Sequence, residues 1–226
     1  MDGSHADFVI ADERNCVPLP DTLGFIDGAF IACPAGTAYS SMKKLQVRAG
    51  DSIAIFGLGP VGLSGLILAQ AMGARVIGVD IIGERVDLAR RLGAEEAVDA
   101  RSNDPVEAIR DSSGRAGTSL VFETSGSPKG RENAVECLGR GGKAVFVGAG
   151  STEKVINPGL LIGKQLTLMG SFVLPLWMTW ELVDFADRRG VHFEKAVTHR
   201  FAIEDAAAAY RVFNEGKTGK IVFEWH

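Results

Sequence analysis

Apolar and polar positions fall into two kinds of block along this chain. Short apolar runs lie at 52–56, 75–79, 97–99, 119–123, 143–147 and 166–169. They read as buried strands, while the stretches between them carry apolar residues at helical spacing. Val61, Leu68 and Met72 mark one such helix, and Val86, Ala89 and Leu92 face inward from a second over 84–92. Gly73 and Gly93 stop both helices in the same way. A polar helix is expected over 104–111 and another over 131–138. Six strands alternating with helices predict an α/β chain with a doubly wound parallel sheet. Such a sheet binds ligands outside the carboxyl ends of its strands, here Gly57, Asp80, Thr124, Gly148 and Ser171.

The flanks are less regular. Alternation over 6–10 predicts a strand, followed by an extended connector through Val17, Pro18, Leu19 and Pro20. Residues 24–47 have a helical pattern that Cys33-Pro34 should break or kink. Beyond Gly170, residues 172–177 are markedly apolar for a connector, and 179–188 read as a helix. A strand over 196–201, an alanine-rich helix over 203–214 and a strand over 219–223 complete the pattern.

Within this order one stretch carries chemistry. The strand at 52–56 runs into Gly57-Leu58-Gly59-Pro60-Val61-Gly62, then a helix, then a strand closed by Asp80. This is the order of a dinucleotide-binding βαβ unit. Gly57 permits the tight turn, Gly59 lets the backbone approach a pyrophosphate, and Gly62 allows close packing of the helix on the sheet. Pro60 suits a first helical turn, where no N–H is needed. The helix N-terminus holds phosphates through its free N–H groups. Asp80 stands where a carboxylate meets the adenosine ribose hydroxyls and repels a 2′-phosphate, so the expected cofactor is NAD(H). Arg85, close by, is the one residue that pulls toward a phosphate.

Composition narrows the rest. A net charge of −4 over 226 residues and a pI near 5.6 argue against nucleic acid and acidic membrane surfaces as partners. No apolar span is long enough for a bilayer, and Met1-Asp2-Gly3-Ser4-His5 lacks the regions of a signal peptide, so a cytoplasmic location is expected. Cys16, Cys33 and Cys137 have no CxxC spacing and read as reduced thiols. His5, His192, His199 and His226 read as surface histidines.

Cys33-Pro34-Ala35-Gly36-Thr37-Ala38-Tyr39, the glycine turn, Glu123-Thr124-Ser125-Gly126 and Gly216-Lys217-Thr218-Gly219-Lys220-Ile221-Val222 occur together and in this order. In these motifs the chain resembles the zinc-type medium-chain dehydrogenases, the alcohol, polyol and threonine dehydrogenase superfamily, over the C-terminal two-thirds of their fold. The resemblance implies a six-stranded Rossmann sheet over 25–170, with short remnants of a β-rich catalytic domain at 1–24 and a C-terminal return over 171–226. It implies hydride transfer between an alcohol and NAD+. Cys33 matches the last catalytic zinc ligand, and Thr37 the residue beneath the nicotinamide ring. Asp80, Arg85 and Lys220 match positions at the adenosine ribose and pyrophosphate. Thr124 and Gly148 match backbone positions at the ribose and nicotinamide amide. The other zinc ligands belong to the preceding domain of the family, so a complete zinc site is not expected from Cys33 alone. Small alcohols, aldehydes or ketones are the implied substrates, and a homodimer the implied assembly.

Two other readings stay open. Tyr39 and Lys43, four apart on one helical face, fit a metal-free proton donor pair, which would make the chain a carbonyl reductase. Alternatively the chain is a non-catalytic NAD(H)-binding or dimerising module, with Cys33 and Tyr39 as packing residues.

Overall fold

The computed structural model describes the chain apart from residues 1–4, 7, 115, 151, 153–155 and 226. Met1, Asp2, Gly3, Ser4, Asp7 and His226, invoked above, therefore lie outside the described residues.

The helical pattern at 24–47 resolves into α1 (Phe25–Ile31) and α2 (Pro34–Leu45). Pro34 cannot continue a helix but can start one, so Cys33 is left between the two in a non-helical conformation, φ −143° and ψ −76°. Next come β1 (Ser52–Phe56), α3 (Pro60–Ala71), β2 (Arg75–Asp80), α4 (Gly83–Arg91) and β3 (Glu96–Asp99). The second half supplies α5 (Pro105–Ser112), β4 (Thr118–Glu123), α6 (Pro128–Glu136), β5 (Leu138–Phe146), α7 (Pro158–Lys164) and β6 (Thr167–Gly170). The chain then forms α8 (Leu176–Arg189), β7 (Val197–Phe201), α9 (Ala206–Asn214) and β8 (Lys220–Phe223).

Strands β1 to β6 form one parallel sheet in the order β3-β2-β1-β4-β5-β6. This is the doubly wound Rossmann arrangement that the alternation predicted. β1 is the central strand because both its neighbours and both its faces are covered: Ile53, Ala54, Ile55 and Phe56 are all buried. Ile53 and Ile55 pack with Leu63, Leu66 and Phe122 on the α2–α3 face. Ala54 and Phe56 pack with Ile109, Val121 and Ala134 on the α5–α6 face. Each large side chain so buried contributes about 1.5–3 kcal/mol. α3 is buried along 62–69, which explains its lack of a polar face. β7 and β8 form a separate two-stranded parallel sheet.

The departures from the sequence reading have local causes. Residues 8–10 form no strand, and Phe8, Val9 and Ile10 are exposed. Alternation alone does not make a strand without a neighbouring ladder. α6 begins at Pro128, earlier than the expected 131, because Ser127 caps it by accepting from Gly130 N at 3.0 Å. α7 has no counterpart in the apolar pattern; it contains Gly159 and Gly163, buries no residue, and is capped by Asn157. α8 starts inside the apolar stretch, at Leu176. No described helix is long and apolar enough to cross a membrane.

Candidate functional site

The strand order reverses between β1 and β4, and a cleft of about 720 Å³ opens at their carboxyl ends. One wall is the glycine turn. Gly57 has φ +88°, and a Cβ on it would lie 2.7 Å from the Ser125 nitrogen. A Cβ on Gly62 would lie 1.8 Å from the Gly57 carbonyl oxygen, so the first turn of α3 closes directly on the loop. Gly65 shares the close contact of α3 with the sheet that was expected of Gly62: a Cβ on Gly65 would meet the Phe122 ring at 2.7 Å.

Asp80 ties the turn to the next strand. Its Oδ2 accepts from Leu58 N at 2.6 Å, and its Oδ1 accepts from Ile82 N at 3.0 Å. A carboxylate has about four acceptor positions, so it retains capacity for ribose hydroxyls. Arg85 reaches Asp80 Oδ2 at 3.9 Å and donates from Nε to the Thr218 carbonyl at 3.1 Å. The loop containing Gly216 and Thr218 is thereby held beside the cleft, and Gly216 lines it. Thr124 Oγ1 donates to the Gly57 carbonyl at 2.7 Å, fastening the end of β4 to the turn.

Behind that end lies Glu123, fully buried. Its Oε1 accepts from Ser125 N at 2.8 Å, Gly126 N at 2.9 Å and Ser125 Oγ at 2.5 Å. Among the described residues its Oε2 has no partner. Burial raises its pKa above the usual carboxylate range, against the opposing pull of these donors. The N-terminal residues of α3, α5 and α6 all line the cleft, at Pro60, Pro105 and Gly130, so three helix ends turn partial positive charge toward it. The arrangement suits a dianionic diphosphate flanked by a ribose.

The residues singled out in the sequence separate into three groups. Gly57, Gly59, Pro60, Val61, Gly62, Asp80, Arg85 and Thr124 line the cleft. Cys33 and Lys220 line a different groove, of about 560 Å³, with Tyr210, Phe213, Phe223 and Trp225. Thr37, Tyr39, Lys43 and Gly148 line neither. Thr37 is buried in α2, where its carbonyl accepts from Ser41 Oγ at 2.9 Å. Gly148 packs on Gly126 and accepts from Arg131 Nη2 at 2.7 Å.

Tyr39 and Lys43 do share a face of α2, but both are directed at Glu181 of α8. Tyr39 Oη donates to Glu181 Oε1 at 3.1 Å, and Lys43 Nζ to the same oxygen at 2.6 Å. Burial, then the Glu181 carboxylate, pushes the Tyr39 phenol well above its ordinary pKa. The Lys43 ammonium holds Glu181 below its own. This is a clasp between two helices.

Cys33 and Cys16 are exposed and Cys137 is buried, its thiol pushed up to about 12 by burial. No three His, Cys, Asp or Glu side chains converge on one metal position among the described residues. Among the described residues Cys33 therefore meets no ligand set fit for zinc. The residues that sequence reading missed complete the lining of the cleft: Pro105, Val106, Ser125, Ser127, Gly130 and Asn133. Ser127-Pro128 was the available signal, a cap followed by a first-turn proline.

A family model described as zinc-binding dehydrogenase matches residues 60–188. The chain is 34% identical over 227 residues to an uncharacterized zinc-type alcohol dehydrogenase-like protein, YphC, of Escherichia coli, with 99% of this chain and 64% of that protein covered. It is 29% identical over 224 residues to an L-threonine 3-dehydrogenase of Rhizobium etli, with the same shares covered. Among solved structures, benzyl alcohol dehydrogenase from Acinetobacter calcoaceticus superposes with a TM-score of 0.85 at 28% identity, over 95% of this chain and 60% of that one. The chain thus spans 64% of the length of these two curated relatives.

Proposed function

The chain belongs to the zinc-binding dehydrogenase family, and from that we propose that it is an NAD(H)-binding oxidoreductase unit of the alcohol dehydrogenase type. The observation that carries this is the cleft, where the glycine turn, Asp80 and Thr124 are tied into one wall. Those residues fit a dinucleotide: a Cβ at either Gly57 or Gly62 would occupy backbone space, and the carboxylate stands at the next strand end. NAD(H), when bound, would supply or accept a hydride at the nicotinamide, with a small alcohol, aldehyde or ketone as the other reactant. The chain's own residues bind and orient. The α3 N-terminus receives the diphosphate, and Asp80 accepts from the adenosine ribose hydroxyls and disfavours a 2′-phosphate. By resemblance Thr37, Gly148 and Lys220 would serve the nicotinamide and pyrophosphate side, although Lys220 lines the groove beside Cys33 and Thr37 and Gly148 line neither cavity.

Residues 1–24 and 171–226 are read as the parts that adjoin a catalytic domain, with 25–170 as the cofactor domain. Cys33 is a single candidate ligand among the described residues, so no zinc step is assigned to this chain's own side chains. That same observation favours a second reading, a non-catalytic NAD(H)-binding module. Exposed Phe172, Trp177 and Trp180 support a homodimer, for which sedimentation at twice the chain mass is the expected result.

The deciding experiment is NADH fluorescence titration of the full chain, followed by NADH consumption with an aldehyde and ketone panel, with and without added zinc. Saturable NADH binding is expected, with NADPH weaker. Absence of NADH binding would sink the proposal, and binding without turnover in either condition would select the second reading.

A further inference from the structure

The cofactor reading leaves one part of the cleft without a task. Beyond the glycine turn and Asp80, the cleft continues between α5 and α6, lined by Phe56, Pro105, Val106 and Asn133. Phe56, Pro105 and Val106 offer apolar faces to a flat ring, and Lys129 and Glu136 of α6 also line the cleft. Asn133 is different. It lies on α6, packed toward the sheet, and is only 7% exposed. Among the described residues nothing hydrogen-bonds its carboxamide. The Asn133 amide atoms are not among the described side-chain atoms buried without a partner, so the carboxamide opens on the cleft as a free recognition group.

The chain's geometry limits what can reach it. With a diphosphate at the N-terminus of α3 and a ribose on Asp80, the base of the same nucleotide is the part that enters the α5–α6 section. A carboxamide presents one acceptor and one donor side by side, which matches the 6-amino group and N7 of adenine. We propose that Asn133 reads this edge of the dinucleotide, its Oδ1 accepting from the 6-amino group and its Nδ2 donating to N7. Asn133 is then a specificity-determining residue for the base, distinct from the acid that selects at the ribose. The inference rests on the NAD(H) reading above.

The test compares NADH with its hypoxanthine analogue, in which an oxo group replaces the 6-amino group, by fluorescence titration of the full chain. Two adjacent acceptors then face a carboxamide that can satisfy only one. The wild-type chain should bind NADH about tenfold more tightly than the analogue. Asn133→Ala and the volume-conserving Asn133→Leu should each weaken NADH about tenfold while leaving the analogue within about twofold. Equal affinity of the wild type for the two dinucleotides overturns the proposal but leaves the cofactor reading standing. So does a preference for NADH that persists in Asn133→Leu. Failure of the wild type to bind either dinucleotide removes the cofactor reading, and this inference with it. The wild-type comparison decides even where a variant does not fold.

Discussion

The cleft at the ends of β1, β2 and β4 and the groove beside Cys33 differ in how much of their chemistry one stretch of chain supplies. Most of the cleft's phosphate and ribose wall comes from a single βαβ unit, β1 through β2, fastened by Thr124. The groove brings Cys33 together with Lys220 and the aromatic side chains of α9 and β8, from opposite ends of the sequence. The proposed cofactor wall is thus local in the chain, whereas any bond-breaking site at Cys33 has to be assembled from distant parts. That contrast makes the two regions separable by mutation.

The largest effect is expected from Gly62→Ala. The new Cβ would fall 1.8 Å from the Gly57 carbonyl, a backbone atom that cannot swing aside as a side chain would. Overpacking of this kind costs about 1–3 kcal/mol of stability or more, and here it also displaces the turn proposed to meet the phosphates. NADH affinity should fall by about a hundredfold or more, since each 1.4 kcal/mol is a factor of ten. An unchanged titration would show that the turn is not the binding wall.

Asp80→Asn comes next. The amide cannot accept from both Leu58 N and Ile82 N, and it loses the charge that repels a 2′-phosphate. Hydrogen bonds to a charged group are worth about 1.5–3 kcal/mol, so NADH should weaken about tenfold or more. NADPH should weaken much less, and the ratio of the two affinities is the number to measure. A wild-type chain that binds NADPH as well as NADH would sink the role given to this acid.

How much of this was legible beforehand follows the same division between local and distant. Six strands, the glycine turn and Asp80 could be read because each is a short contiguous pattern whose meaning is fixed by backbone geometry. Asn133 could not. It is one polar residue in a polar helix, and its burial depends on α6 packing against the sheet. The pairing of Tyr39 with Lys43 was visible as spacing, but Glu181 lies on α8, 142 residues beyond Tyr39, and no local pattern points to it. Residues 8–10 failed in the opposite direction, with a strand pattern and no ladder to join.

Glu123→Gln sharpens the comparison through pH. Burial raises the folded-state pKa of Glu123 above its unfolded value. A raised pKa means that this residue's contribution to stability is complete below the unfolded pKa and is lost as pH rises through the folded one. Glutamine keeps the acceptor for Ser125 and Gly126 without acquiring a buried charge. Its melting temperature relative to the wild type should therefore climb as pH rises above the ordinary carboxylate range. A difference independent of pH would mean that Glu123 is not destabilised by ionisation.

Tyr39→Phe should be milder. It removes one hydrogen bond to a carboxylate that Lys43 still holds, which is worth about 1 kcal/mol and about 2–4 °C in melting temperature. NADH binding should not move. If the chain turns over carbonyl substrates, the rate should also survive, and its loss would support the metal-free pair of Tyr39 and Lys43.

The smallest effect, and the one that tests the division most directly, is Cys33→Ser. The side chain is exposed, lines the other groove and contributes nothing to the cleft wall, so NADH affinity and melting temperature should both stay within measurement error. What should change is thiol chemistry alone: one of two exposed cysteines becomes unavailable to a thiol reagent in the folded chain, while Cys137 remains protected by burial. If Cys33→Ser instead weakens NADH, the two regions are coupled through α1 and α2, and the thiol is already part of the cofactor site. If zinc added to the wild type protects Cys33 from the reagent, the thiol acts as a ligand with help from donors that do not converge on it among the described residues. The contrast between a finished cleft and an unfinished groove would then have to be redrawn around that metal.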